Sequence, residues 1–236
     1  MVNKIKVALF GFGKTGKIVA QNLYEDDKFD LVFVIKKNIN KVKLKKFNFL
    51  IESTNKINEL LHEFKPDVII DLTSPEAVLQ NINQIEDNTG YIIPVTGFTK
   101  PQMKILKDRK NLKLIYAPNI SDGINIVIKA CELINHLWNH SDVEIIEQHF
   151  KKKKDAPSGT AKKIAKIFKD DVTIHSIRAG GIIGVHEVVL ATKNQKITIK
   201  HESFNREAFA DGVKKAAIWL QDKPCGFYEI EQVYNF

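Results

Sequence analysis

Short apolar runs alternate with amphipathic stretches through the first half of the chain. Residues 4–10 predict a strand and residues 14–24 a helix. Residues 31–35, 67–72, 91–95 and 112–116 predict further strands, with helical spacing of apolar positions between them at residues 57–64 and 75–85. Strands that are apolar on both sides and joined by helices are buried on both faces, the pattern of a parallel sheet made of βαβ units. The expected fold class is therefore α/β, a Rossmann-type doubly wound sheet. After Pro118 the pattern changes. Residues 124–138 predict a long helix, 143–149 a strand and 158–168 a second helix. Residues 175–178, 185–192 and 196–202 then alternate apolar and polar positions with no helix between them, which predicts antiparallel strands and a second, α+β domain. A final helix over residues 205–221 fits either domain. There is no internal repeat or Gly/Ser-rich linker, so the two parts are expected to share an interface and a cleft.

Composition narrows the picture. A chain of 236 residues, 44% hydrophobic and 27% charged, can bury roughly 70% of its unfolded surface and needs neither disulfide nor metal to hold a core. Cys131 and Cys225 form no CxxC pair and no Cys/His cluster, so no metal site is expected and a reducing cytoplasm is the expected compartment. The lysine-preceded apolar run at the start breaks at Gly11 and meets Lys14 and Lys17, too early for an export signal. No segment approaches the roughly 20 apolar residues of a membrane span, and a soluble protein with no membrane partner is expected. The net charge of +8 comes mostly from dispersed lysines; Arg109, Arg178 and Arg206 are the only arginines. Without recurrent Arg and aromatic interleaving, this reads as a solvated surface and not as a nucleic-acid interface. Such a surface still attracts small anions.

Chemistry enters at two places. Gly11-Phe12-Gly13-Lys14-Thr15-Gly16 follows the first predicted strand and opens the first predicted helix. In a dinucleotide fold the three glycines make the turn, admit the pyrophosphate and let helix and strand pack closely, while the helix N-terminus faces the phosphates. About 20 residues on, where an acid would bind the ribose diol of NAD, stand Lys36 and Lys37. Ammonium groups suit a 2′-phosphate, which favours NADPH or dual use with NADH. The same segment holds Lys41, Lys43, Lys45 and Lys46, so solvated lysines are the competing account. The second place is Glu147 to Thr160, where His149 ends a strand, Lys151 to Lys154 follow, and Asp155-Ala-Pro-Ser-Gly-Thr160 leads into a helix. Ser158 or Asp155 can cap that helix. Gly159 and Thr160 in its first turn would offer N–H groups to a carboxylate, Lys153 a charged hydrogen bond, and His149 a proton carrier near neutral pH.

The stretch from Glu147-x-His149 through Lys153-x-Asp155-Ala-Pro-Ser-Gly-Thr160 resembles the signature of the 4-hydroxy-tetrahydrodipicolinate (dihydrodipicolinate) reductase family. The resemblance extends over nearly the whole chain, through Asp71 to Pro75, Val95 to Thr99, Ala117 to Gly123, His175 to His186, Arg206 to Gly212 and Lys223 to Tyr228. It implies reduction of a cyclic unsaturated dicarboxylate by NADH or NADPH to tetrahydrodipicolinate, in lysine and diaminopimelate biosynthesis. It implies His149 and Lys153 as catalytic residues, and substrate contacts at Phe150, Lys153, Gly159 and Thr160. Implied cofactor contacts are Gly11 to Gly16, Lys36, Pro94, Val95, Thr96, Ala117, Pro118, Asn119 and Ile120. It also implies a homotetramer assembled through the substrate-binding domain, residues 120–206, with residues 1–119 and 207–236 forming the dinucleotide-binding domain. Three departures stand out: Phe150 where many members have a second histidine, a compact glycine loop where several relatives carry an extra residue and an arginine whose work Lys14 shares, and Pro94-Val95 where Gly-Thr or Ala-Thr is usual before Thr96. Two rival readings are another Rossmann amino-acid dehydrogenase, acting on aspartate or diaminopimelate, and a non-catalytic dinucleotide sensor.

Overall fold

The computed structural model describes residues 3–39, 47–168 and 172–234; Lys41, Lys43, Lys45 and Lys46 lie outside them. The chain divides into two compact units, the first comprising Met1–Ile120 and Phe209–Phe236, the second Ser121–Ala208.

The first unit is a seven-stranded sheet in the order β11-β6-β5-β4-β1-β2-β3, parallel throughout. Its strands are β1 (Ile5–Phe10), β2 (Phe29–Ile35), β3 (Ile51–Glu52), β4 (Val68–Asp71), β5 (Gly90–Ile93), β6 (Lys113–Tyr116) and β11 (Gly226–Glu229). Successive strand residues go to opposite faces. Val7 and Leu9 of β1, Val68 and Ile70 of β4 and Ile92 of β5 share one core with α1 (Lys14–Glu25) and α7 (Glu207–Trp219). Ala8, Phe10, Ile69, Tyr91 and Ile93 share the other with α2 (Ile57–Phe64), α3 (Pro75–Asn81) and α4 (Lys100–Lys107). Two apolar faces on each central strand explain the unbroken apolar runs in the sequence. The helix expected over residues 75–85 ends at Asn81 and continues as a 3₁₀ turn, Ile82–Gln84. β3 and β11, only two and four residues long, were not expected. They carry too few residues to display a period, and the partner strands define them.

The second unit is a four-stranded sheet in the order β10-β9-β7-β8, where β7 is Asp142–His149, β8 Thr173–Arg178, β9 Val185–Ala191 and β10 Lys196–Glu202. Helices α5 (Asp122–Leu137) and α6 (Gly159–Ala165) cover one face through Ile124, Val127, Ile128, Cys131, Ala161 and Ile164, packed on Ile145, Val188 and Leu190. β9 pairs antiparallel with β7 and β10 as expected, but β8 runs parallel to β7. This corrects the all-antiparallel expectation. The α6 segment is a crossover that returns the chain to run beside β7 in the same direction, and alternation alone does not reveal which neighbour a strand will take.

In α7, a Cβ on Gly212 would lie 1.5 Å from the carbonyl oxygen of Ile120. No side-chain rotation relieves a backbone clash. Gly212→Ala is expected to cost at least about 3 kcal/mol, lowering the melting temperature by roughly 6–12 °C or more in a chain of this size; a thermal melt within 2 °C of the parent would disprove the close approach.

Candidate active site

The first unit gathers its chemistry-bearing segments at the carboxyl edge of the parallel sheet. Phe10 pairs with Asp71 and Ile93 with Tyr116, so the Gly11 loop, Pro94 to Thr96 and Ala117 to Ile120 leave neighbouring strands at one end. The strand order reverses beside β1, the place where doubly wound sheets open a crevice. Gly11 has φ +97°, and a Cβ there would meet the Leu72 carbonyl oxygen at 2.8 Å. Gly16 packs so closely that a Cβ would lie 2.0 Å from the Gly11 carbonyl oxygen. Gly13, the N-cap of α1, is exposed with nothing within 4 Å of where a Cβ would stand. Two glycines are thus required by contact inside the protein and the third leaves room outside it, at a helix N-terminus. That division fits a dinucleotide phosphate group.

Around this loop Lys14 and Thr96 are exposed, Thr15, Pro94, Pro118 and Asn119 are half-buried, and Val95, Ala117 and Ile120 are buried. Phe12 is buried, packed edge-on against Phe47 and Phe49, so only its backbone faces the loop's surroundings. Lys36 Nζ donates to the Phe12 carbonyl oxygen at 3.3 Å, tying the end of β2 to the glycine loop, while Lys37 is exposed.

In the second unit, Glu147 and His149 sit two apart on β7 and therefore on the same face. Glu147 has no solvent exposure. Its Oε1 accepts from Arg178 Nη2 at 2.6 Å and from the Ser158 backbone N–H at 3.2 Å; its Oε2 accepts from Arg178 Nη1 at 2.9 Å and lies 2.5 Å from His149 Nδ1. The same Arg178 Nη2 donates to the Asp155 carbonyl at 2.6 Å. Ser158 caps α6, its Oγ accepting from Ala161 N at 3.2 Å, and lies 3.2 Å from Nε2 of His186, which pairs with Glu147 across the β7–β9 ladder. The rings of His149 and His186 meet edge to face at 5.3 Å. Lys153 Nζ is held by both oxygens of Asp155, at 2.6 and 2.9 Å. Phe150 and Gly159 are exposed and Thr160 half-buried.

These contacts set the charge states. Burial pushes the Glu147 carboxyl up, but hydrogen bonds from Arg178, Ser176 and His149 outweigh it and hold the group at about 2. Burial pushes His149 below its ordinary value, Glu147 opposes, and Lys153 and Arg178 add to the lowering. Burial, helped by His149, drives His186 down to about 3, so it is neutral at working pH. The positive charge of Lys153 thus opposes protonation of His149.

The strand-loop-helix unit therefore brings together His149, Lys153, Phe150 and the start of α6. Three participants carried no assigned role in the sequence: Glu147, Arg178 and His186. The i, i+2 spacing of Glu147 and His149 on one strand was a usable signal for the first. Arg178 and His186 reach the site only through strand pairing. Among the described residues no group of three or more His, Cys, Asp and Glu side chains is arranged to hold a metal ion, and no helix is long and apolar enough to cross a membrane.

Residues 5–120 match the family model described as dihydrodipicolinate reductase, N-terminus, and residues 123–234 its C-terminus. A 4-hydroxy-tetrahydrodipicolinate reductase of Buchnera aphidicola subsp. Cinara cedri is 34% identical, covering 99% of this chain and 98% of its own. The structure of a dipicolinate-bound dihydrodipicolinate reductase from Paenisporosarcina sp. TG-14 superposes with a TM-score of 0.82 at 28% identity, covering 98% of this chain and 99% of that one. A DAP dehydrogenase of C. glutamicum in complex with DAP gives a TM-score of 0.56 at 13% identity, over 98% of this chain and 94% of that one, a likeness of fold alone.

Acid should destabilise the fold in two stages. His186 titrates near 6.5 when unfolded and near 3 when folded, so its contribution is complete above pH 6.5 and is lost as pH falls toward 3. Glu147, ordinarily near 4.5 and here near 2, contributes fully above pH 4.5 and loses its contribution below that. In urea denaturation between pH 6 and pH 4.5, His186→Gln should reduce the slope of stability against pH by about 1.4 kcal/mol per pH unit; an unaltered slope would show that His186 is not held neutral.

Proposed function

We propose, for a chain that belongs to the dihydrodipicolinate reductase family, a division of labour in which the first unit holds NAD(P)H and the second holds and protonates the substrate. The enzyme is an NAD(P)H-dependent oxidoreductase that reduces 4-hydroxy-tetrahydrodipicolinate to tetrahydrodipicolinate in lysine and diaminopimelate biosynthesis. The observation that carries the assignment of roles is the placement of His149 at the end of β7 and of Lys153 on the loop that follows, directly before the capped start of α6.

When bound, the nicotinamide supplies hydride. Gly11 to Gly16 would hold its phosphates at the N-terminus of α1, and Thr96 and Ala117 to Ile120 leave the same sheet edge. The protein's remaining tasks are charge and proton management. A dicarboxylate needs positive partners from entry to release, and Lys153 provides one by exchanging the Asp155 carboxylate for a substrate carboxylate. Gly159 and Thr160 offer backbone N–H groups to the same carboxylate. Loss of the 4-hydroxyl as water gives a conjugated C=C–C=N system; hydride addition to it leaves an electron-rich enamine, which takes a proton from His149. Phe150, exposed beside His149, presents an apolar face where many relatives hold a second histidine, so that polar substrate contact is either absent or supplied by Lys151 or Lys152.

Lys36 and the lack of an acid at the end of β2 support NADPH preference or dual use. The free thiols of Cys131 and Cys225 support a reducing compartment, the cytoplasm. The uncovered face of the second sheet, carrying Ile146, Ile177 and Val189, supports self-association into a homotetramer through that sheet. A DAP dehydrogenase shares the fold, but the His149, Lys153 and Gly159-Thr160 constellation favours the reductase.

Consumption of NADPH and NADH should be followed with enzymatically generated substrate. His149→Gln and Lys153→Met should each lower turnover by about 100-fold to 10,000-fold while NADPH affinity stays within about twofold; parental turnover in both would overturn the assignment, and nucleotide binding with no turnover in the parent would favour a sensor. Lys36→Ala should reduce kcat/KM for NADPH about tenfold more than for NADH, the equivalent of about 1.4 kcal/mol; equal losses would remove Lys36 from cofactor choice.

A further inference from the structure

Glu147 has no access to solvent and donors from Arg178, Ser158, Ser176 and His149 converge on it, yet neither the substrate nor the nucleotide needs a buried carboxylate there. We propose that Glu147, clamped by Arg178, is the positioning residue that fixes the tautomer of His149, keeping Nδ1 protonated so that Nε2 is the atom through which the proton reaches substrate.

Glu147 is fully ionised at working pH and offers only acceptors. The hydrogen between its Oε2 and His149 Nδ1 therefore belongs to the imidazole, and in the neutral ring Nε2 carries the lone pair. Nε2 lies beside Gly184, where a Cβ would stand 3.4 Å away, so the residue facing the reactive nitrogen is one with no side chain to cover it. The charged and titratable groups facing His149 are Glu147 on its own strand, Arg178 from β8, His186 from β9 and Lys153 from the following loop. Among these four, Glu147 alone is negative. Arg178 and Lys153 oppose imidazolium, burial opposes it, and His186 stays neutral. Glu147 is what makes a protonated His149 tolerable in this setting. Arg178 fixes the carboxylate at both oxygens and also holds the Asp155 carbonyl, so the clamp extends to the loop that carries Lys153.

The role rests on the reading of His149 as proton donor. In the step, the Nε2–H bond breaks while a C–H bond forms with the enamine's electron pair, and neutral His149 takes its next proton from solvent at Nε2. Because imidazolium is the donor, turnover falls as pH rises through the His149 pKa. Removing the Glu147 charge lowers that pKa, so the fall should come at lower pH.

The test uses the full-length chain. Long-range ¹H–¹⁵N spectra, with His149 identified by its loss in His149→Gln, should show the Nδ1–H tautomer in the parent and loss of that preference in Glu147→Gln. Glu147→Gln should lower kcat about 100-fold with KM within about threefold and move the alkaline limb of kcat about one unit toward acid; Glu147→Asp should recover part of the rate. An Nε2–H tautomer in the parent overturns the proposal even if Glu147→Gln does not fold. Inactive His149→Gln beside Glu147→Gln of unaltered kcat and pH profile overturns the role of Glu147 alone. Full turnover by His149→Gln overturns the reading of His149, and the role of Glu147 with it.

Discussion

A carboxylate removed from water is costly unless its charge is matched and its lone pairs are filled. Glu147 meets both conditions through a bidentate Arg178, the Ser158 amide and His149 Nδ1. These four contacts tie together β7, β8, the start of α6 and the imidazole, so the second unit's geometry and chemistry share one electrostatic centre. Breaking any one partner would leave charge buried without compensation. The arrangement therefore holds its shape before substrate arrives, as preorganised catalysis requires.

The first unit solves a different problem by contact. Helix and strand at the glycine loop approach so closely that side chains at Gly11 and Gly16 would meet backbone carbonyls. That closeness points the N-terminus of α1 at open space beside Gly13. Nearby, buried Asp71 accepts from Tyr91 at 2.6 Å, Asn81 at 2.8 Å and the Thr73 amide at 3.0 Å, fixing the turn that leaves β4 next to the loop. Burial raises the Asp71 carboxyl, with the hydrogen bonds in opposition, and no cation answers it in those contacts. Asp71 is held by neutral donors, whereas Glu147 is held by a cation.

Much of this was legible from residue order. Unbroken apolar runs named the parallel sheet because burial on both faces leaves no polar alternate positions, and Val7, Ala8, Leu9 and Phe10 indeed divide between two cores. Gly11, Gly13 and Gly16 fell on the strand-to-helix turn, and His149, Lys153 and Ser158 on one strand-loop-helix segment, because local spacing is preserved when a chain folds. β11 was hidden, since Gly226–Glu229 is an edge strand defined by its pairing with β6. The parallel course of β8 was hidden for a related reason: the period-2 pattern marks faces and says nothing about direction.

The amino-acid order by itself determined which residues alternate, where the backbone turns and which reactive groups lie within a few positions of one another, because these are short-range properties of the covalent chain. Only the tertiary structure decided that Arg178, 31 residues beyond Glu147, would close on it, that His186 would lie edge-on to His149, and that a glycine 35 positions away would face Nε2. Those are pairings across strands, set by sheet register and burial, and the charge state of His149 follows from them together with Glu147 and Lys153, its neighbours in sequence.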